Sequence, residues 1–397
     1  MSADALDAKT ILVRASELVV HIYDAHAVQI EREGVTITAP PIALSMLDAF
    51  ATPQAVGDIL ERFAVRGVEH FMEASAVIVQ LARAGVLRAP GDRGSLAVRG
   101  FVAPAIHIAM LDDHARTLAF CKGIDAATSK EDVVVEIGVG TGVLSVRAAT
   151  AGAKHVYGIE ETGIADLAER VFEANGVRDR ITLVRGRSTQ VDLPERGNVL
   201  VTETIGNDPL DEGILEIVAD AKRRLLVPGA RIVPAALEVW ALLVDVPRAV
   251  FERHVFTPDR LAAYRASYGI DFAPLAAHHL GPTQPIMVKS EEALRWERVA
   301  DPVRVAAIDF ASEYETVLEE HVSVVARAPA RTLGTLLLFR ATLAEGITLS
   351  TLPGEVDPKN SWKFAFWPAF DRLAVAAGDA IEITYMYRRG ETIVRIG

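Results

Sequence analysis

The sequence predicts an α/β protein in three parts, and three observations predict it. Short β-branched runs followed by helical periodicity fill residues 1–95. Strands alternate with helices over 96–234, the pattern of a parallel sheet. Long apolar runs such as LEVWALLVDV and TLGTLLLFRATL make 235–397 a barrel or sandwich. The length of 397 residues exceeds one ordinary compact domain, and 50% of them are hydrophobic, enough to bury large cores.

In the first part, residues 18–22, 27–30 and 35–37 are strand-like and are separated by Asp24 and the Glu33-Gly34 turn. Helical periodicity follows at 42–50. A second helix is expected over 55–63, with Val56, Ile59, Leu60 and Phe63 on one face. A third spans 69–84 and ends at Gly85. Strands, three helices and a closing strand at Val86-Leu87-Arg88 give a small winged-helix-like N-terminal domain. The second part reads as strand 133–137, a helix from Gly142, strand 155–159, helix 164–175, and strands 181–184 and 199–202. A helical insertion at about 248–280 interrupts the third part.

Composition narrows the function. A single cysteine, Cys121, excludes an internal disulfide and a cysteine-rich metal centre, and no metal is expected. No apolar run reaches the roughly 18 residues of a membrane span. The opening MSADALDAK lacks the pattern of a signal peptide, so a cytoplasmic protein without a membrane partner is expected. The net charge of −12 argues against a broad nucleic-acid-binding face and is compatible with cationic substrates.

Residues 133–142 read VVVEIGVGTG. Gly138, Gly140 and Gly142 follow a buried strand and open a helix, so a ligand can approach the backbone and meet amide N–H groups. A dinucleotide fingerprint would place its third glycine at 143, which is Val143. Glu136 precedes the loop and Glu160 ends the next strand. This set suits S-adenosyl-L-methionine (SAM), which has no pyrophosphate to place and whose ribose hydroxyls a carboxylate at 160 can accept. A nicotinamide cofactor and a relic that binds nothing are the alternatives. Farther on, the apolar run 198–201 ends in TETIGNDPLDEG, a loop with Glu203, Asp208, Asp211 and Glu212. Taken alone it reads as a solvated turn.

Two resemblances sharpen these expectations. AIHIAMLDDHARTLAF, followed by the glycine loop, TETIGNDPLDEGILE, LLVPGARIVP, TLLLFRATLAEGITLSTLP and NSWKFAFWPAF, resembles the protein arginine methyltransferases over roughly residues 98–397. That resemblance implies a Rossmann-like SAM-binding domain and a C-terminal β-barrel with a helical dimerisation arm at about 248–280, hence a homodimer. It also implies that Glu203 and Glu212, nine residues apart, grip a substrate cation as the catalytic pair. Arg116 would meet the SAM carboxylate, and Met110 would pack near the sulfonium. Glu136, Gly138, Gly140, Gly142 and Glu160 would line the cofactor, with Thr189 near the adenine. Phe101, His107, Asp208 and Trp362 are further substrate-side candidates. In the N-terminal part, HAVQIEREGVTITAPP, VGDILERF and VIVQLARAGVL resemble the leader-peptide recognition domain of pathways that modify ribosomally made peptides. This second resemblance implies a precursor peptide as partner, bound as an added strand.

Departures from the arginine-methyltransferase pattern shape the choice of acceptor. AVRGF replaces a Tyr-Phe-x-x-Tyr element, and Asn360-Ser361-Trp362 replaces Thr-His-Trp, so a phenol and an imidazole are missing. The expectation is therefore an N-methyltransferase acting on a cationic nitrogen of a leader-bound peptide, such as the C-terminal amine of daptide-type pathways. A protein arginine methyltransferase and a non-catalytic adaptor are the alternatives. Asp208 and Asp211 are expected to be mostly solvated.

Overall fold

The structure, a computed structural model, describes residues 7–15, 18–22, 27–32, 35–89, 104–277, 285–369 and 374–397; Phe101 lies outside them. The chain divides into two compact units, Met1–Pro104 and Ala105–Gly397.

The first unit runs β1 (Ile11–Arg14), β2 (Val19–Ile22), β3 (Val28–Arg32), β4 (Val35–Ala39), α1 (Ile42–Ala49), β5 (Gln54–Ala55), α2 (Val56–Ala64), α3 (Val68–Arg83) and β6 (Leu87–Arg88). β2, β3 and β4 form an antiparallel meander, and β1 lies between β5 and β6. Leu12, Ile30, Met46, Phe50, Ile59 and Leu81 are fully buried in its core. The amphipathic faces of α2 and α3 supply part of it, as their periodicity dictates. β1 is the element that the sequence does not announce: four residues flanked by Lys9-Thr10 and Ala15-Ser16, paired only with distant partners.

The chain continues with α4 (Pro104–Asp112) and α5 (His114–Ala127). The break falls at Asp113, whose side chain accepts a hydrogen bond from the Arg116 backbone N–H at 3.0 Å and so caps α5. There follow β7 (Val133–Ile137), α6 (Val143–Ala151), β8 (His155–Glu160), α7 (Ala165–Ala174), β9 (Ile181–Arg185), β10 (Gly197–Thr202), α8 (Ile214–Arg224) and β11 (Leu226–Val233). The five strands are parallel in the order β11-β10-β7-β8-β9. β7 is buried at every position, as a central strand covered on both faces must be. The chain winds outward from β7 through β8 and β9, then returns to place β10 on the other side of β7. The loops after β7 and β10 therefore flank the switch point at the carboxyl ends of the strands, where open α/β sheets bind ligands.

The remainder runs β12 (Ala236–Asp245), α9 (Arg248–Phe251), α10 (Pro258–Tyr268), β13 (Ile286–Lys289), α11 (Ser290–Ala293), β14 (Glu297–Arg298), β15 (Val303–Asp309), β16 (Val317–Val325), β17 (Leu333–Ala344), β18 (Ile347–Ser350), β19 (Lys363–Pro368), β20 (Ala380–Arg388) and β21 (Glu391–Ile396). β12 and β17 pair antiparallel along their length, from Ala236 opposite Thr342 to Asp245 opposite Leu333. Around them the order is β13-β19-β17-β12-β14, with β15 also on β12 and β18 on β17, while β16, β20 and β21 form a separate ladder. The result is a curled, half-barrel-like sheet where a barrel or sandwich was expected. Its Leu337, Phe339 and Tyr385 share one continuous core with Phe120 and Ile124 of α5 and Val134 of β7. No helix among the described residues is long and apolar enough to cross a membrane.

Gly142 shows how tightly the glycine turn is built. Its φ is +89°, and an added Cβ would stand 2.5 Å from Cε1 of the fully buried Phe172. Gly142→Ala is expected to cost about 1–3 kcal/mol through strain and overpacking, measured as a lowered urea midpoint at unchanged slope.

Candidate active site

Two loops meet at the switch point, one after β7 and one after β10. Glu136 is the fourth residue of β7 and is 1% exposed. The Ser145 hydroxyl, from the first turn of α6, donates to its Oε2, and its Oε1 is buried without a partner. Burial, with the Glu160 charge adding to it against the Ser145 bond, raises the Glu136 pKa to about 8. Glu160 ends β8; its Oε2 accepts from the Gly140 N–H at 2.9 Å and its Oε1 from the Thr162 N–H at 2.8 Å. The carboxylate at the second strand tip is thus fastened to the glycine loop itself. His107 is buried with its ring against Gly140, 3.7 Å from where a Cβ would lie, so it backs the glycine loop. Thr189 is exposed in the turn Ser188–Gln190 after β9.

On the β10 side, Glu203 follows the strand and pairs with the Arg116 guanidinium of α5; both side chains are nearly buried. The same guanidinium donates to the Met110 carbonyl at 3.3 Å, meets the Met110 sulfur at 3.6 Å, and lies 5.6 Å from the centre of the Trp362 ring. Burial raises the Glu203 pKa; Arg116 opposes that rise and Asp113 adds to it. Glu212 has its pKa pushed up to about 8 by partial burial and by the like charges of Glu203 and Asp211, with Arg116 opposing. Its side chain nevertheless keeps an exposed surface, where water favours the charged form.

The two-glutamate loop is held by residues from far along the chain. The Trp362 indole N–H donates to the Ile205 carbonyl at 2.9 Å, and the Lys363 N–H donates to the Asn207 side chain at 2.7 Å. Trp362, a substrate-side candidate from sequence, thus turns its polar atom to the loop. Within the loop, a Cβ on Gly206 would coincide with the Asp211 carboxylate, 1.5 Å from Oδ1, so only glycine allows this fold-back. Asp208 was expected to be mostly solvated, but it is 3% exposed. Pro209 and Leu210 beside it are buried as well, which no local pattern reveals.

Asp113 is a site residue that sequence reasoning missed, although an Asp directly before a helical run is a capping signal. Its second oxygen accepts from the Ser361 N–H at 2.7 Å and the Ser361 hydroxyl at 3.1 Å. Asp113→Ala removes the cap and this tie together and is expected to cost about 1–3 kcal/mol of stability, read by chemical denaturation.

A family model described as ribosomal protein L11 methyltransferase (PrmA) matches residues 112–234. Protein arginine N-methyltransferase 1 of Schizosaccharomyces pombe is 33% identical over 173 residues, which are 43% of this chain and 49% of that protein. A probable histone-arginine methyltransferase CARM1 of Oryza sativa subsp. indica is 30% identical over 274 residues, 64% of this chain and 48% of that protein. The chain spans about half the length of the curated relatives it matches. Among solved structures, the Trypanosoma brucei PRMT1 enzyme-prozyme complex with AdoHcy superposes with a TM-score of 0.61 at 23% identity, covering 72% of this chain and 88% of that one. A PRMT6-SAH structure gives 0.54 at 20% identity, covering 74% and 100%. The fold of this chain is therefore that of the class I SAM-dependent methyltransferases, of the protein-arginine-methyltransferase-like kind, with its Rossmann-like core and curled C-terminal sheet.

Proposed function

We propose that this protein is a SAM-dependent N-methyltransferase whose acceptor is a guanidinium, with arginine in a protein or peptide as the substrate. One observation carries the acceptor class: Glu203 already holds a guanidinium, that of Arg116, beside the Trp362 ring. The residues present also fit the cofactor. Glu160 is presented at the strand tip with lone pairs to spare for two hydroxyls, the glycine loop leaves its backbone open, and Glu136 offers a buried oxygen without a partner.

SAM, when bound, supplies an electrophilic methyl group. Arg116 would face its carboxylate, and Glu203, released from that arginine, would accept the substrate's N–H groups. Glu212 would complete the grip and orient one nitrogen, so that positioning supplies much of the acceleration. A carboxylate with a raised pKa is suited to take the proton that the methylated nitrogen sheds.

A second reading keeps the chemistry and changes the acceptor: an amine of a precursor peptide whose leader is captured by the N-terminal unit. It is supported by the meander's edge strand β2, where Val19 and Ile22 are exposed, and by Ser361 standing where the resembled family has an imidazole. A homodimer through the arm belongs to either reading. Tyr264, Tyr268 and Phe272 cluster there, and Tyr268 and Ile270 are exposed.

With labelled SAM and arginine-containing peptides, the full chain is expected to label arginine, and Glu203→Gln is expected to lose at least about 100-fold in kcat/KM while still binding SAM. Label confined to a small peptide's amine, and lost when residues 1–104 are removed, would favour the second reading. Activity should fall as pH drops below about 8, because Glu212 gains a proton there and stops accepting one. The residual activity of Glu212→Gln should lack this limb.

A further inference from the structure

Beneath the two-glutamate loop lies a polar cluster that the proposed chemistry does not use. Asp208 Oδ1, Tyr385 Oη and Thr392 Oγ1 are all buried without a hydrogen-bond partner. Asp208 is 3% exposed, Tyr385 0% and Thr392 5%. They belong together: the Thr392 hydroxyl acts on both the Asp208 carboxyl and the Tyr385 phenol, and the Asp208 charge acts on Tyr385. Asp208 comes from the loop, Tyr385 from β20 and Thr392 from β21, so the cluster spans a seam between segments about 180 residues apart. The seam is tied nearby as well. Tyr387, opposite Thr392 in the ladder, donates to Glu216 at 2.8 Å and accepts the Gly390 N–H at 3.0 Å, and Gly390 packs against the Asp211 carbonyl.

No cation among the described residues pairs with Asp208. The ionisable groups around it are Asp211 on the loop, Glu216 on α8 beyond Tyr387, and Tyr385 and Tyr387 on β20. A carboxylate buried among acids and phenols is costly, whereas a neutral carboxyl can both donate and accept.

We propose that Asp208 is a positioning residue: it closes with Tyr385 and Thr392 into a buried clasp that locks the two-glutamate loop to the β20–β21 hairpin and so sets where Glu203 and Glu212 stand. The role rests on the guanidinium-methyltransferase reading above; the clasp itself does not. Burial, with Asp211 adding to it, raises the Asp208 pKa to about 7. A carboxyl whose folded pKa lies above its unfolded value contributes stability below the unfolded pKa and loses it as pH rises through the folded one. Here that window runs from about 4 to about 7.

The test uses the full chain as wild type, Asp208→Asn, Asp208→Leu and Asp208→Leu/Tyr385→Phe. Each is measured for Tm between pH 5 and 8.5, for SAM affinity by calorimetry, and for kcat and KM on an arginine peptide. Asp208→Asn keeps the shape and a donor, so its Tm should gain on wild type as pH rises, with kcat within about threefold. Asp208→Leu should lower kcat about 10- to 100-fold through a misplaced loop, at unchanged SAM affinity, and adding Tyr385→Phe should cost little more because both act on one clasp. Equal kcat in wild type and Asp208→Leu, or a constant Tm difference between wild type and Asp208→Asn across the pH range, would overturn the proposal. A wild type that methylates no arginine peptide would sink the guanidinium reading instead; the Tm comparison would still decide the clasp.

Discussion

The site depends on how residues 361–363 are fastened to the body of the second unit. Asp113 divides its two oxygens between the first turn of α5 and the Ser361 N–H and hydroxyl. One residue on, the Trp362 indole reaches the Ile205 carbonyl, and Lys363 then binds Asn207. Three consecutive residues leading into β19 thus pin the helix that carries Arg116 and the loop that carries Glu203 and Glu212. A helix cap alone would have used one carboxylate oxygen; the second oxygen makes it a junction.

Around that junction the molecule concentrates acids that would prefer to be apart. Glu136, Glu203, Asp208, Asp211 and Glu212 all have raised pKa values, with burial the leading cause in each. Among the described residues, Arg116 is the cation that opposes the rise at Glu203 and Glu212. Such a set destabilises the folded chain and is hard to account for by stability alone. The proposed methyl transfer would use it, to grip a cation and to take up a proton. The apolar seams beneath, from Val134 through Phe120 to Phe339, carry the compensating burial.

Much of the parallel core was legible in the sequence because its signals are local. VVVEI is an uninterrupted apolar run save one acid, and β7 spans those five residues; the glycines after it mark the turn. α2 and α3 declared themselves by period, and α3 by Gly85 at its end. What escaped is what distant partners decide. β1 is too short to stand out and exists by pairing with β5 and β6. Asp208 looked solvated because charge in a loop normally is, and only the β20–β21 hairpin, nearly 180 residues later, covers it. Trp362 was legible as a site residue, but the direction of its indole N–H was not.

The two units have separate cores: one runs from Leu12 to Leu87, and the other begins at Phe120. Each therefore meets its own entropy of folding from its own buried surface. Truncating Phe50 would therefore empty space in the first core alone, and truncating Phe120 in the second alone, so damage to either core is met by a different set of buried side chains.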